Sequence, residues 1–342
     1  MSFFSHIYLE KSLENTSVAQ RILEHFPNSE IILINHYKDV FCRSRQDFYR
    51  QKQSPALILA EKKGELLYEG AKVCQSFGNE HFYYTSCIMN CLYNCEYCYL
   101  AGMYPSGNVV MFLNKEDYFS EVRSVLKQNP MYICVSYDTD LLAFNHLTGF
   151  LNKWIELADA EEGLSIEIRT KCGNLSSVRD SLKKCTHPER VIFAYTLSPE
   201  TVISKYERGT SSLKGRLEAL SELQTMGIPC RIAFDPMIYV PGWKAQYGEL
   251  ADIVFKGTGG YPSLDTSKIF DASVGTFRIS DTYLKNMRKN APDSVITQYP
   301  YECSEGVYHY PDSILNEMES FMTERCREVL PAEKIFRWQE EL

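Results

Sequence analysis

Between residues 82 and 279, short strand-like runs alternate with longer segments of helical periodicity. The strand-like runs are rich in β-branched and aromatic residues and lie at 82–86, 131–135, 165–169, 191–195, 230–234 and 276–279. The helical segments lie at 118–127, 141–158, 175–184, 213–226 and 243–254. About six such repeats predict an α/β fold in which a parallel sheet carries helices on its outside. An open or partial barrel fits this pattern as well as a doubly wound sheet does.

Two further units flank these repeats. Before them, residues 1–75 predict a small βα unit, whose strand-like runs lie at 6–9, 30–34 and 56–60. After them, residues 291–342 predict a C-terminal extension made of a tyrosine-rich β-hairpin and a helix over 312–330. We therefore expect three domains, with the repeats occupying residues 76–290.

Three cysteines within eight residues follow the first strand-like run, at positions Cys91, Cys95 and Cys98. In a parallel βα array, the loops after the strands gather at one edge of the sheet, where ligands bind. Free cysteines are often ordinary buried residues, and we interpret the scattered cysteines of this chain in that way. Three clustered thiols among several tyrosines instead favour a metal site at the mouth of the sheet.

The number of thiols in this loop decides which metal it suits. A structural zinc site needs four ligands, so Cys87 and Cys91 would have to form the second pair beside Cys95 and Cys98. Four thiolates hold an ordinary four-iron cluster. Three thiolates leave one iron without a protein ligand, and an open iron is useful only if another group binds it.

The composition limits which cellular compartment and which binding partners we expect for this chain. Twelve cysteines and an N-terminus without a secretion signal favour a reducing, cytoplasmic setting over a disulfide framework. The sequence has no run of about 18 apolar residues, so we expect no membrane span. The net charge of −8 does not favour general nucleic-acid binding. DNA binding would need a local patch, and the basic segment 41–52 is either such a patch or a solvated surface.

The spacing of the loop cysteines, with an aromatic residue before the last one, resembles the signature of radical S-adenosylmethionine enzymes. The resemblance narrows to the spore photoproduct lyase family over roughly residues 70–260. The stretches that carry it are 95–100, 146–148, 169–171, 206–211, 236–239 and 242–243.

This resemblance implies a partial (open) βα barrel, a [4Fe-4S] cluster and S-adenosylmethionine, which together generate a 5′-deoxyadenosyl radical. The implied reaction is the repair of ultraviolet-damaged DNA. It returns the lesion 5-thyminyl-5,6-dihydrothymine to two thymines. Such a cluster also implies an electron donor such as flavodoxin or ferredoxin.

The resemblance further implies roles for individual residues. Cys91, Cys95 and Cys98 would ligate the cluster, and Tyr97 and Tyr99 match tyrosines that lie near the cofactor and are implicated in the radical relay. Five more residues are implied to contact S-adenosylmethionine, with a lysine on the methionine carboxylate and an aspartate available for the amine: Thr139, Asp140, Lys171, Thr196 and Asp235.

One catalytic position of the family is different in this chain. Bacillus-like members return a hydrogen atom to the product from a cysteine after the second barrel strand, and Tyr137 occupies that position here. Another thiol, or a tyrosine, must therefore donate the hydrogen. Our first candidate is Cys74, in the polar connector 72–79, and the second is Cys172. Cys134 is three residues from Tyr137, which places it on the opposite face of a strand.

The C-terminal hairpin also departs from the family, because the stretch 301–305 is acidic where an Arg-Tyr pair and lysines are expected. Its tyrosines could still stack against an extruded base. Phosphate contacts would fall to other cations: Arg43, Arg45, Arg50, Lys52, Arg278, Lys285, Arg288 and Lys289. Two alternatives to lesion repair are a radical enzyme of the same family with another substrate, and a non-enzymatic zinc or iron–sulfur module.

Overall fold

The structure is a computed structural model that describes residues 4–70 and 74–337. Residues 1–3 of the predicted first domain, residues 72–73 of the predicted connector and residues 338–342 lie outside this part of the chain. Its strands are β1 (His6–Glu10), β2 (Glu30–Ile34), β3 (Leu57–Ala60), β4 (Leu67–Glu69), β5 (Phe82–Thr85), β6 (Ile88–Met89), β7 (Asn94–Cys95), β8 (Val109–Phe112), β9 (Met131–Cys134), β10 (Leu164–Thr170), β11 (Val191–Thr196), β12 (Glu207–Arg208), β13 (Cys230–Met237), β14 (Ile269–Thr276), β15 (Arg278–Ser280), β16 (Glu302–Ser304), β17 (Val307–His309) and β18 (Ile335–Arg337).

The helices connect these strands. They are α1 (Ser17–Leu23), α2 (Lys38–Phe41), α3 (Phe48–Gln53), α4 (Leu100–Met103), α5 (Lys115–Leu126), α6 (Leu141–Thr148), α7 (Phe150–Ala160), α8 (Arg179–Lys184), α9 (Glu200–Tyr206), α10 (Leu213–Thr225), α11 (Trp243–Lys256), α12 (Asp281–Asn290) and α13 (Asp312–Arg327). None of the helices within residues 4–70 and 74–337 combines the length and the apolar character that crossing a bilayer requires.

The main sheet has eight strands in the described part of the chain, in the order β18-β14-β13-β11-β10-β9-β5-β4. All neighbours are parallel except β4 and β5. The seven parallel strands have the same order in the sheet as in the sequence. Each connection therefore places the next strand beside the previous one, always on the same side. A doubly wound sheet reverses its strand order at a switch point, and this sheet does not.

The predicted strands of this sheet are confirmed except for the last. The sixth strand was expected at 276–279, but the chain forms β14 earlier, and β15 belongs to another sheet. The pattern missed β14 because polar residues interrupt it. Asp271 accepts two hydrogen bonds from Arg231, at 2.5 and 2.7 Å, and Ser273 donates one to Gln75 at 2.9 Å. These partners satisfy side chains that would otherwise be costly to bury.

Two helix predictions also need correction. The expected helix 141–158 is divided into α6 and α7 at Gly149, whose φ of +62° ends the first helix. The expected helix 175–184 begins only at Arg179, because residues 175–178 form a turn closed by the Val178 amide and the Leu175 carbonyl at 3.0 Å.

Smaller sheets complete the fold. An N-terminal sheet of order β2-β1-β3-β8-β6 contains the predicted βα unit, and an antiparallel sheet of order β15-β17-β16 contains the predicted hairpin. The predicted domain boundaries at residues 75 and 290 separate strands that share a sheet, since β8 joins the first unit and β18 returns to β14. The three-domain division therefore remains a prediction about sequence segments.

Candidate active site

A cavity of about 510 Å³ lies at the carboxyl ends of the parallel strands. Its opposite wall comes from β15 and the start of α12. The predicted cluster ligands, the predicted S-adenosylmethionine contacts and the first-choice catalytic residues all line it: Cys74, Cys91, Cys95, Tyr97, Cys98, Tyr99, Tyr137, Thr139, Asp140, Lys171, Thr196 and Asp235. Sequence reasoning gave no role at this site to other residues of its lining, among them Ser136, Arg169, Thr170, Phe277 and Tyr283.

The cysteine loop is held from two sides. Strand β7, which contains Cys95, pairs antiparallel with β12, so that Cys95 lies opposite Glu207, and the Glu96 amide donates to the Tyr206 carbonyl at 2.8 Å. From the side of α3, the Lys52 ammonium donates to the carbonyl of Cys91. The loop is therefore positioned by distant segments of the chain before any cofactor binds.

A buried ion pair anchors this arrangement. The Tyr97 hydroxyl donates to Glu207 at 2.5 Å, and the Ser198 hydroxyl donates to the same carboxylate oxygen at 2.8 Å. The Arg216 guanidinium binds the other oxygen, and both partners of this pair are fully buried. Although burial alone would raise it, the charges of Lys171 and Arg216 hold the pKa of Glu207 below its ordinary value. Glu207 and Arg216 were not predicted as site residues.

The loop thiols need a cationic group to ionise. Burial raises the pKa of Cys91 to about 12 and also raises the pKa values of Cys95 and Cys98. Lys52 and Lys171 act against this rise, and the charge of a bound metal would favour the thiolates further. No three Cys, His, Asp or Glu side chains in residues 4–70 and 74–337 converge on a single ion. In an iron–sulfur cluster each thiolate binds a different iron, so the three thiols need not meet at one ion.

The zinc alternative fails at its fourth ligand. Cys87 packs in the hydrophobic core, where it is 5% exposed, and does not line the cavity. Burial raises the pKa of its thiol to about 12. A tetrahedral zinc site would need all four thiols around one ion, and the described residues do not provide that arrangement.

Two polar groups beside the cysteine loop are available to bind the methionine end of a ligand. The Thr139 hydroxyl is buried and has no hydrogen-bond partner. The Lys171 ammonium lies 5.6 Å from the centroid of the Tyr97 ring, and no carboxylate of the described residues forms a salt bridge with it. Buried polar groups are rarely left unpaired. The orphaned hydroxyl and the unpaired cation therefore fit a polar, partly anionic ligand such as S-adenosylmethionine.

Two predicted cofactor ligands are already occupied. Asp140 accepts from the Ala143 amide at 3.1 Å, from Thr170 and from the Lys171 amide at 2.7 Å, so that it joins α6 to the end of β10. Asp235 receives two hydrogen bonds from Arg278, at 2.9 and 3.0 Å. Both carboxylates line the cavity, but protein groups hold their oxygens. Thr196 lies in the lining at the end of β11.

A thiol and a phenol meet at the edge of the cavity. The Cys74 sulfur lies 2.9 Å from the Tyr137 hydroxyl. The Tyr137 ring stacks on Tyr84 with centroids 4.1 Å apart, and Tyr99 donates to the Tyr137 carbonyl at 2.7 Å. The two other thiols considered from the sequence, Cys134 and Cys172, are buried and do not line the cavity.

The predicted DNA contacts are only partly available. Tyr301 and Tyr310 are 8% and 1% exposed, so they pack in the core and cannot stack on an extruded base. Arg288 donates to the carbonyls of Thr297 and Tyr299, both at 2.8 Å, and Lys285 pairs with Asp281 at 2.8 Å. These cations stabilise α12 and the segment after it.

The orphaned hydroxyl gives a first prediction. In Thr139→Val, we expect the free energy of unfolding to stay unchanged or to rise by about 1 kcal/mol, because a buried unpaired hydroxyl is removed. Affinity for S-adenosylmethionine should fall about tenfold, since the ligand loses one hydrogen bond. Chemical denaturation and calorimetric titration of the reconstituted protein measure the two effects. Unchanged affinity would exclude Thr139 from the cofactor site.

A three-thiol loop at the mouth of a parallel sheet, beside a cavity that fits a sulfonium cofactor, defines an enzyme of the radical S-adenosylmethionine class. The family model described as spore photoproduct lyase matches residues 5–337. The chain therefore belongs to the spore photoproduct lyase family.

Individual relatives are distant. A spore photoproduct lyase of Geobacillus sp. (strain Y412MC61) is 26% identical over 164 residues, and the alignment spans about half of each protein, 47%. That of Bacillus subtilis (strain 168) is 22% identical over 253 residues, covering 71% of this chain and 70% of that protein. A solved variant of spore photoproduct lyase with bound AdoMet and dinucleoside spore photoproduct is 19% identical, with a TM-score of 0.79 over 98% of both chains. That structural likeness shows a shared fold.

Proposed function

We propose that this chain is a DNA repair lyase that reverses the spore photoproduct, 5-thyminyl-5,6-dihydrothymine, to two thymines. The observation that carries the proposal is that the three loop thiols line one cavity together with nine residues predicted to bind the cofactor or to take part in catalysis. Membership of the spore photoproduct lyase family supports the reaction. The sequential order of the parallel strands supports a partial, open barrel as the scaffold.

The residues of the cavity divide the work of holding the cofactors. Cys91, Cys95 and Cys98 would hold a [4Fe-4S] cluster, and Lys171 and Thr139 would bind the polar end of S-adenosylmethionine. When bound, the cluster and S-adenosylmethionine would supply a 5′-deoxyadenosyl radical able to remove the hydrogen from C6 of the dihydrothymine. The protein's contribution is to orient the groups and to limit the access of water.

The hydrogen atom that completes the product is proposed to come from Cys74. The radical left at C6 would break the methylene bridge, which frees one thymine and leaves the other as a carbon radical. The S–H of Cys74 would give that radical a hydrogen atom, which completes the second thymine and leaves a thiyl radical on Cys74. The Tyr137 O–H, at 2.9 Å, would then pass a hydrogen atom to that sulfur, and the phenoxyl radical left on Tyr137 would take one electron from the low-potential donor and one proton from water. This pair would replace the cysteine that Bacillus-like relatives have at the position of Tyr137.

Removal of this thiol gives a second prediction. Cys74→Ala should form 5′-deoxyadenosine at a rate within about twofold of the wild type, because Cys74 takes no part in generating the radical. Thymine should become a minor product beside trapped by-products, which mass spectrometry identifies. Cys172→Ala is the matched control, since that thiol is buried outside the cavity. Clean thymine from Cys74→Ala would remove Cys74 from the mechanism.

The repair reaction is tested directly with a defined lesion. The protein is reconstituted anaerobically, and about four irons per chain are expected. It is then given S-adenosylmethionine, dithionite and the dinucleoside spore photoproduct. We expect thymidine to accumulate with the loss of the lesion. Cleavage of S-adenosylmethionine without any thymidine would instead favour a radical enzyme of the same family that acts on another substrate. The exposed acidic residues Glu302 and Glu305 of the hairpin favour that alternative over DNA.

We further propose that ultraviolet-damaged DNA and a low-potential electron donor such as flavodoxin or ferredoxin are the partners. The lesion would have to be extruded from the duplex to reach the cavity. None of the twelve cysteines forms a disulfide, which supports work in the reducing cytoplasm.

A further inference from the structure

The segment 38–52 forms a local positive surface on an acidic chain. It contains five cations and two carboxylates, a net charge of +3, whereas the whole protein has a net charge of −8. Arg43, Arg45 and Arg50 are exposed, and none of them forms a salt bridge within the described residues. Unpaired surface charge of this kind attracts a partner of opposite sign over long distances. We call these three arginines the basic surface.

The same segment supports the cysteine loop. The Lys52 ammonium donates to the Cys91 carbonyl, and Gln51 accepts from the Gly107 amide at 2.9 Å. Contact is close at Gly107, where a Cβ atom would lie 2.4 Å from the Phe48 carbonyl oxygen. No residue of segment 38–52 lines the cavity. Helix α3 therefore touches the loop from outside the substrate site.

We propose that the basic surface docks the acidic one-electron carrier that reduces the cluster. The inference rests on the proposed function, because it requires a cluster on the loop. An electron must reach the loop while the cofactor and the lesion occupy the cavity, so the carrier has to approach from another side. Helix α3, which carries Arg50, contacts the loop there through Lys52. The charge of the basic surface complements an acidic flavodoxin or ferredoxin. One electron passes from the carrier to the cluster, and no bond forms or breaks.

A DNA backbone would also be attracted by three arginines. The observations favour the carrier for a geometric reason. DNA that delivers a lesion must contact the mouth of the cavity, and segment 38–52 contributes nothing to its lining. The segment does contact the backbone of Cys91, a predicted cluster ligand.

The test compares two triple variants of the reconstituted protein. One is Arg43→Gln/Arg45→Gln/Arg50→Gln. The control is Arg21→Gln/Lys184→Gln/Arg327→Gln, which removes three exposed cations that form no salt bridge in the described part of the chain. Stopped-flow absorbance follows the bleaching of the cluster by reduced flavodoxin and, in parallel, by reduced ferredoxin, without lesion or S-adenosylmethionine.

For at least one carrier, the wild-type rate constant should fall as salt rises from about 50 to about 500 mM, because salt screens the attraction. The first triple variant should be about tenfold slower at low salt and nearly insensitive to salt, whereas the control stays within about twofold of the wild type. Dithionite, which needs no docking surface, should reduce all three proteins equally.

Wild-type rates in the first variant with both carriers would overturn the proposal. It would also be overturned if that variant lost affinity for an oligonucleotide duplex while its reduction by the carriers was unchanged, because the surface would then bind DNA. Failure of the proposed function looks different. A wild-type protein whose cluster is reduced normally but which forms no thymine contradicts lesion repair and leaves the docking inference standing.

Discussion

Replacing Cys95 by alanine should abolish iron binding and reduce repair by at least about a thousandfold, because no radical forms without the cluster. The loop offers only three thiols, and the one iron they leave open is needed for S-adenosylmethionine. Loss of a thiol therefore leaves two thiols in the loop, while the other thiol of the cavity lining, Cys74, pairs with Tyr137 at 2.9 Å. Iron content, the visible spectrum and the yield of 5′-deoxyadenosine measure the effect.

Two other cysteines provide the matched controls for this result. Cys303→Ala removes an exposed thiol on β16, and Cys87→Ala removes the core thiol that a zinc site would need. Both variants should keep about four irons per chain and cleave S-adenosylmethionine. Loss of metal in Cys87→Ala would contradict the three-thiol cluster and revive a four-thiol site.

Breaking the buried ion pair behind the loop should lower the free energy of unfolding by about 3–5 kcal/mol. In Glu207→Gln, the Arg216 guanidinium remains fully buried without its carboxylate, and the Tyr97 hydroxyl loses a charged acceptor. The control is Glu222→Gln, which removes the partner of Arg179 from a pair whose side chains are 36% (Glu222) and 40% (Arg179) exposed. That change should cost less than about 1 kcal/mol. Urea denaturation of the apo-proteins measures both.

The same pair has a pH signature. Although burial alone would raise it, Lys171 and Arg216 hold the pKa of Glu207 below its ordinary value of 4.5. The resulting stabilisation is present above the ordinary pKa and is lost as the pH falls through the lower pKa of the folded state. The difference in unfolding free energy between the wild type and Glu207→Gln should therefore shrink as the pH falls below 4.5. A difference that stays constant down to low pH would show that Glu207 is not charged in the folded protein.

Features encoded in local sequence could be predicted. Five parallel strands were found from runs of β-branched and aromatic residues, and the cysteine loop was placed at the sheet's mouth by its position after the first strand. Strand β14 was missed because Asp271 and Ser273 are polar, which is typical of exposed positions. Only the fold shows that they are paired with Arg231 and Gln75. Strands are predicted from the periodic spacing of apolar residues. This spacing does not reveal polar residues that are buried because they pair with distant parts of the chain.

The supports of the site were harder to predict than its ligands. Tyr97 was recognised from the loop, but its partner Glu207 lies 110 residues away in sequence, and only the fold brings them together. Lys52 was interpreted as a candidate phosphate contact, yet it donates to the backbone of Cys91. Asp140 was expected to bind the cofactor, but its oxygens hold α6 and β10, whereas the neighbouring Thr139 hydroxyl is unpaired.

The most direct test of lesion repair uses a dinucleoside spore photoproduct that carries deuterium at C6 of its dihydrothymine. Under anaerobic reducing conditions with S-adenosylmethionine, we expect thymidine to form and deuterium to appear in 5′-deoxyadenosine. That result would show that the radical acts on the lesion itself. Unlabelled 5′-deoxyadenosine, with the lesion recovered intact, would contradict the assignment of this chain as a spore photoproduct repair enzyme.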